Sequence, residues 1–172
     1  MTPAEKTGPT LAGRLRHREV LGRIVLTTDG TVTPLLEHIV DEPVVAARID
    51  QHYVDPDDRT RALLQVSACE RLLSRSTELV GARSGAVYVQ ARSIAVPRAL
   101  PQELRHGLLR TGEPIGAMLR RQRIETFREI LAYALDGERP DRWACREYRI
   151  FIGGTPALLI SEVFGTSCLH QF

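Results

Sequence analysis

Apolar and polar residues alternate along three stretches within the first 100 residues, which is the pattern of strands with one buried face. These stretches are Val44–Tyr53, about Arg71–Val80, and Ala86–Val96. The second and third are separated by Gly81-Ala82-Arg83-Ser84-Gly85, a short glycine-bearing loop that is typical of a β-hairpin. The pattern therefore predicts that these two strands pair antiparallel.

Two more strands are predicted near the end of the chain, Tyr148–Ile152 and Ala157–Phe164, joined by a glycine-rich turn. Helical spacing of apolar residues predicts Leu11–Gly22, Pro34–Val40 with Thr33 as its N-cap, Pro101–Leu109 and Gly116–Arg121. Residues 124–134 fit either a helix or a strand, and Leu135–Pro140 is expected to be a loop. The sum is an α+β fold in which helices pack against a single antiparallel β-sheet.

The length and composition are those of one globular domain. A chain of 172 residues with 43% apolar residues has enough material to bury a core around one pocket. We expect residues 1–10 to form a disordered tail before a single domain at 11–172. No apolar run approaches the roughly 20 residues of a membrane span, and the N-terminus lacks the apolar core of a signal peptide. We therefore expect a cytoplasmic protein that does not bind membranes.

Charge and residue usage disfavour several other kinds of ligand. The net charge is only +2 and aromatic residues make up 5% of the chain, so no nucleic-acid partner is expected. Cys69, Cys145 and Cys168 form no CxxC motif, which argues against a disulfide framework or a zinc site. None of the five histidines stands at a metal-binding spacing, so we expect no metal.

An arginine interrupts the apolar face of the strand predicted near residues 71–80. Strand alternation places Arg75 on one face with Leu73, Thr77 and Leu79. Burial of a guanidinium costs desolvation free energy unless an anion pairs with it. Its planar array of N–H donors suits a carboxylate. Arg75 is therefore a candidate anchor for a carboxylate ligand.

The last predicted strand carries the opposite charge in the same kind of position. Glu162 shares a face with Leu158, Ile160 and Phe164. A carboxylate in apolar surroundings suits acid or base chemistry. The pattern leaves two interpretations open, because Arg75 and Glu162 could instead form a buried ion pair with each other.

Two other arginines lie in predicted strands. Arg92 shares a half-polar face with Tyr88 and Gln90, so a solvated side chain is the simpler interpretation. Arg149, next to Tyr148, is either a second interior cation or a surface residue.

Short motifs are spread in order over about 140 residues of the chain. They are Leu26–Leu36, Arg71–Arg75, Ala91–Pro97, Glu113–Leu119, Ile124–Glu129, Tyr148–Ile150, Gly153–Pro156 and Ile160–Phe164. In order and spacing they resemble the chorismate pyruvate-lyase family, in particular its actinobacterial branch that supplies 4-hydroxybenzoate. The resemblance implies an antiparallel sheet with flap-like helical segments over an internal ligand pocket.

The resemblance also implies which residues contact the ligand. The family's essential arginine falls on Arg75 and its essential glutamate on Glu162. Two further product contacts fall on Val32 and on the backbone around Ile115, where the adjacent Gly116 permits close approach. Val32 is a departure, because it is shorter than the methionine that some members carry there.

The implied reaction is the cofactor-independent conversion of chorismate into 4-hydroxybenzoate and pyruvate. Arg75 would hold a substrate carboxylate and stabilise the departing enolate, and Glu162 would serve the proton step and hold the C4 hydroxyl. Arg92 would hold the other carboxylate, although some members have an acidic residue there. The expected partner is this small-molecule substrate, bound by a monomer or a small homo-oligomer.

Two other functions fit the same residues. Members of the family also occur in specialised-metabolite gene clusters, so one alternative is an enzyme of this fold that acts on a different chorismate-derived or natural-product intermediate. The other is a non-catalytic binding protein for an aromatic acid, which would keep Arg75 as its carboxylate anchor.

Overall fold

The structure, a computed structural model, describes residues 11–110, 112–135 and 142–169. The strands are β1 (Val44–Val54), β2 (Leu72–Gly81), β3 (Val87–Ala95), β4 (Thr126–Leu135), β5 (Arg142–Ile152) and β6 (Thr155–Gly165). The helices are α1 (Leu11–Thr27), α2 (Val32–Val40), α3 (Asp58–Leu64), α4 (Gln102–Arg110) and α5 (Ile115–Arg121), with 3-10 turns at Pro97–Ala99 and Thr166–Leu169. Within these described ranges, no helix is both long and apolar enough to cross a lipid bilayer.

The strands form one six-stranded antiparallel sheet in the order β1-β2-β3-β6-β5-β4. The predicted hairpin pairs β2 with β3, and the predicted turn near the end of the chain pairs β5 with β6. The connection from β3 to β4 carries α4 and α5, and β6 then returns to pair with β3 in the middle of the sheet. The predicted α+β class and single antiparallel sheet are therefore confirmed.

Helices cover one face of the sheet, here called the inner face, in two groups. α1 and α2 pack on one half of it through residues that include Val25 and Leu36. α4 and α5 pack on the other half through residues that include Leu104 and Met118. α3 lies on the opposite, outer face, where Leu64 is buried. Burial of each large apolar side chain contributes about 1.5–3 kcal/mol, so these clusters hold the helices on the sheet.

The start of α2 differs from the sequence prediction. The helix begins at Val32 with Thr31 as its N-cap, so the prediction of Thr33 as the N-cap is wrong. Pro34 lies in the first turn, where a missing amide proton costs nothing because the first amides of a helix have no partner within it.

Other elements also differ from the prediction. Residues 124–134, which fitted two kinds of structure, belong mainly to strand β4, because this segment pairs along its length with β5. α3 is absent from the predicted elements, and it begins where the Asp57 carboxylate accepts a hydrogen bond from the Thr60 amide at 2.7 Å. Leu135 ends β4 instead of starting a loop. The predicted tail at 1–10 and the rest of the predicted loop, residues 136–140, lie outside the described residues.

A buried carboxylate ties the β2–β3 hairpin to the end of α2. Glu42 accepts hydrogen bonds from the Ser84 hydroxyl at 2.6 Å, the Arg83 amide at 2.8 Å and the Ser84 amide at 3.1 Å, and a further one from the Tyr88 hydroxyl. The hydrogen bonds from the Ser84 and Tyr88 side chains, more than those from the backbone, lower the pKa of Glu42 from 4.5 to about 2. This loop contact therefore requires an ionised carboxylate.

Candidate functional site

A cavity lies between the inner face of the sheet and the first residues of α2 and α5. A volume of about 70 Å³ is open to the centres of water-sized molecules. That volume holds about five to seven waters, or roughly 150–200 Å³ of liquid, which is the scale of one small substituted ring. The cavity is lined by Thr31, Val32, Thr33, Arg75, Thr77, Leu79, Ala91, Ser93, Pro114, Ile115, Gly116, Arg128, Tyr148, Ile150, Ile160 and Glu162.

Arg75 lies on the cavity wall, where strand alternation predicted an inward side chain. The residue is only 2% exposed, in register with Ser93 of β3. Its Nη2 donates a hydrogen bond to the Glu113 carbonyl at 3.0 Å, so it also positions the segment that leads into α5. Burial lowers the pKa of the Arg75 guanidinium, because desolvation penalises the charged form. A ligand carboxylate in the cavity would offset part of that desolvation.

Glu162 lies on the same wall, in an ion pair with an arginine that the sequence analysis does not single out. The Arg146 Nε donates to Glu162 Oε2 at 2.7 Å, and both side chains are almost fully buried. The Tyr148 hydroxyl donates to Glu162 Oε1 at 3.1 Å. Burial raises the pKa of the Tyr148 phenol far above its ordinary value, and the charge of Glu162 adds to the rise. Tyr148 is therefore a neutral donor, and Glu162 is an oriented carboxylate.

Arg146 is held in turn by the end of α1. Its Nη1 donates to the Val25 carbonyl at 2.8 Å and to the Thr28 carbonyl at 3.0 Å. The last carbonyls of a helix have no partner within the helix and carry the negative end of its dipole, which favours a cation. The guanidinium also stacks over the Tyr148 ring, 4.7 Å from its centroid. Arg146 thus links α1 to the carboxylate in the cavity wall.

Arg128 brings another guanidinium to the cavity from β4. Its Nη1 donates to the Asp29 carbonyl in the loop before α2. Its Nε is buried and has no hydrogen-bond partner among the residues that the structure describes. The positive charge of Arg128 is close enough to Tyr148 to lower the pKa of that phenol. This effect is smaller than that of burial, which raises the same pKa. The cavity therefore has cationic groups from β2 and from β4.

The starts of α2 and α5 meet beside the cavity. Val32, Ile115 and Gly116 all line the cavity there, close to the N-cap residue Thr31. A Cβ on Gly116 would stand 2.4 Å from the Thr31 Cγ2, so only glycine allows this approach of the two segments. The amides of the first helical turn have no acceptor within their own helix, which leaves those of Ile115 and Gly116 suited to a ligand oxygen.

The structure brings Arg75, Glu162, Val32, Ile115 and Gly116 together around one cavity. It does not bring Arg92 there. Arg92 is exposed on the outer face of β3, because alternation along that strand directs Ala91 and Ser93 inward. The expectation that Arg92 contacts a ligand in this cavity is therefore wrong.

Arg149 is not a cavity residue either. It lies on the outer face of the sheet, where its guanidinium pairs with Glu129 and donates to the Leu63 carbonyl at 2.7 Å. Of the two interpretations left open by the pattern, the structure therefore favours a structural residue near the surface.

Arg128, Arg146 and Tyr148 are the cavity-side residues that the sequence analysis missed. The signal for Arg146 was present, since Ala144, Arg146, Tyr148 and Ile150 alternate inward along β5, but the predicted strand began only at Tyr148. Among the described residues, no group of three or more histidine, cysteine, aspartate or glutamate side chains is placed to hold a metal ion.

Comparison with known proteins gives a family match over most of the chain. A sequence profile of the family described as "Chorismate pyruvate-lyase Rv2949c-like" matches residues 26–172. A chorismate pyruvate-lyase of Mycobacterium leprae is 31% identical over 153 residues, which cover 83% of this chain and 72% of that protein. A chorismate pyruvate-lyase of Mycobacterium tuberculosis H37Rv is 28% identical over 155 residues, which cover 83% of this chain and 78% of that protein.

Solved structures with similar folds come from transcriptional regulators. The effector domain of PhnF from Mycobacterium smegmatis superposes with a TM-score of 0.60 at 13% identity, over 83% of this chain and 92% of that domain. A possible transcriptional regulator, YydK from Bacillus subtilis, superposes with a TM-score of 0.55 at 13% identity, over 76% of this chain and 60% of that one. At such low identity, the likeness concerns the arrangement of sheet and helices alone.

Proposed function

The chain belongs to the Rv2949c-like chorismate pyruvate-lyase family, and from this premise we propose that it converts chorismate into 4-hydroxybenzoate and pyruvate. The observation that carries the proposal is the ring-sized cavity in which a guanidinium, Arg75, and an oriented carboxylate, Glu162, line the same wall. A carboxylated ring that must lose a proton needs an anion anchor and a proton acceptor.

The reaction is an elimination that redistributes electrons within the substrate. The C4–H bond breaks, and its electron pair forms the C3–C4 double bond that makes the ring aromatic. The C3–O bond breaks, and its electron pair leaves on the oxygen of enolpyruvate. The proton then adds to the methylene carbon of enolpyruvate, which gives pyruvate. The two products together contain all the electrons of the substrate, so the reaction requires no external oxidant or reductant.

We assign Arg75 to the ring carboxylate, which its fork of donors fits. Glu162 lies at the C4 end of the ring, where it accepts the hydrogen bond of the C4 hydroxyl and receives the C4 proton. Arg146 and Tyr148 position this carboxylate, since each donates a hydrogen bond to one of its oxygens. A base that is held in one rotamer in this way needs no reorientation before proton transfer, which lowers the activation free energy of that step.

The first residues of α2 and α5 would also contact the ligand. The amides of Ile115 and Gly116 would donate to a ligand oxygen, and Val32 would pack against the ring from the opposite helix. A bound ligand would displace water between these segments, which would strengthen each charged interaction inside.

The test is to incubate the purified protein with chorismate and to quantify 4-hydroxybenzoate and pyruvate separately. Glu162→Gln keeps the shape of the side chain but removes the proton acceptor, so we expect kcat/KM to fall by about 100-fold or more. We expect Arg75→Ala to raise KM strongly, and circular dichroism is used to confirm that both variants remain folded, because each removes a buried charge. Glu147→Gln is the matched control, because Glu147 is directed to the outer face of β5 and pairs with Arg59.

The products decide between this proposal and its alternatives. Equal amounts of the two products, lost in Glu162→Gln and retained in Glu147→Gln, support the proposal. Turnover of a different carboxylated ring in place of chorismate would indicate an enzyme of the same fold with a different substrate. Tight binding of 4-hydroxybenzoate with no turnover of any substrate would indicate an aromatic-acid binding protein, and the lyase proposal would then be abandoned.

A further inference from the structure

Among the charged residues that line the cavity in the described part of the chain, Arg128 is the one for which the proposed reaction has no role so far. It lies on β4, and its guanidinium is held at one end by the Asp29 carbonyl. Its buried Nε lacks a hydrogen-bond partner among the described residues although it belongs to a group that lines the cavity. A buried donor of a charged group that lacks an acceptor is costly, which indicates that a ligand supplies one.

The charges around the cavity point to the kind of ligand. The negative charge of Glu162 is already matched by Arg146, 2.7 Å away. Arg128 therefore adds a positive charge to the wall beyond that pair. Because Arg75 is already assigned to the ring carboxylate, a second cationic group at the cavity is best met by a second negative charge on the ligand.

The order of the strands separates the two arginines. Arg75 is on β2 and Arg128 on β4, four strand spacings apart in the sheet, which corresponds to about 19 Å between their backbones. Their long side chains reach into the same cavity from opposite sides, and Glu162 lies on β6, between them. A ligand held at both ends would thus present its middle to the carboxylate.

We propose that Arg128 is the specificity-determining residue that binds the second carboxylate of the substrate, the one on its enolpyruvyl side chain. This inference rests on the proposed function, because that reaction supplies a substrate with two carboxylates flanking the bond that breaks. Arg128 takes over the role that family resemblance implied for Arg92, which the sheet directs to its other face. Binding at both ends would orient the C4–H bond toward Glu162.

The experiment measures binding without turnover. Isothermal titration calorimetry would compare 3-(1-carboxyvinyloxy)benzoate, an aromatic dicarboxylate that cannot undergo the elimination, with 4-hydroxybenzoate, which has one carboxylate. In Arg128→Gln, we expect the Kd of the dicarboxylate to rise by about 10- to 100-fold, the value of a charge-assisted hydrogen bond. We expect the Kd of 4-hydroxybenzoate to change less than about threefold, because its carboxylate binds Arg75.

Two further variants serve as controls for the binding measurement. Arg128→Lys keeps the charge and should recover part of the dicarboxylate affinity even if Arg128→Gln folds poorly. Arg92→Gln removes the same charge from the outer face and should leave both Kd values unchanged. Equal loss of both ligands in Arg128→Gln, no loss of either, or a selective loss in Arg92→Gln would overturn the assignment. If the selective pattern appears but chorismate is not turned over, the lyase proposal fails while the dicarboxylate site stands.

Discussion

The buried ion pair between Arg146 and Glu162 can be tested by replacing only the cation. Arg146→Met keeps most of the length and the apolar stem of the side chain but removes its charge and its donors. The Glu162 carboxylate, whose side chain is 6% exposed, would then lose its counter-charge. The Val25 and Thr28 carbonyls at the end of α1 would lose the donor that binds them.

The magnitude follows from this geometry. Removal of one partner of a buried pair costs about 3–5 kcal/mol, because it leaves an uncompensated charge in the interior. In a Glu162→Gln background that charge is absent and Arg146 is itself an uncompensated cation, so the same change should cost at most about 1–2 kcal/mol for the lost hydrogen bonds to the carbonyls. The two residues should therefore be coupled by at least about 2–3 kcal/mol, a large share of the roughly 5–15 kcal/mol that stabilises a domain.

The assay is urea-induced unfolding of the four proteins of this double-mutant cycle, followed by far-ultraviolet circular dichroism. Arg149→Met is the control on the same strand, because Arg149 lies on the outer face and pairs with the half-exposed Glu129. We expect that control to cost about 1–2 kcal/mol. If Arg146→Met costs the same in both backgrounds within about 0.5 kcal/mol, Arg146 does not stabilise the Glu162 charge and the reasoning is refuted.

Two further predictions concern the hairpin and the contact between the starts of α2 and α5. The pKa of Glu42 is about 2 in the folded protein and 4.5 when unperturbed, so its stabilisation is complete above pH 4.5 and is lost as the pH falls toward 2. Glu42→Gln should flatten the fall of the thermal midpoint over that interval, and an unchanged slope would contradict this. Gly116→Ala should destabilise the protein by about 1–3 kcal/mol through its clash with Thr31 Cγ2. Thr31→Ser removes that methyl group and should restore stability; without such rescue, the clash is not the cause.

Strand alternation alone placed Arg75 and Glu162 on the inner face, and both line the cavity. This was possible because a strand has a period of two residues, so the direction of a side chain depends only on its neighbours along the chain. The same rule had placed Arg92 on a different, half-polar face, and the structure agrees. The expectation that failed for Arg92 came from family resemblance, which assigns a position in a motif but not a face of the sheet.

The partner of each charge was decided only by the tertiary structure. Arg146 meets Glu162 because β5 lies next to β6, and it meets the end of α1 about 120 residues earlier in the chain. Arg128 faces the cavity because β4 pairs with β5, which settled a segment whose own pattern fitted two kinds of structure. Alternation is a local property that the sequence determines by itself. Strand order and register are long-range properties, because they depend on which surfaces bury each other, and they decided which charges share the cavity.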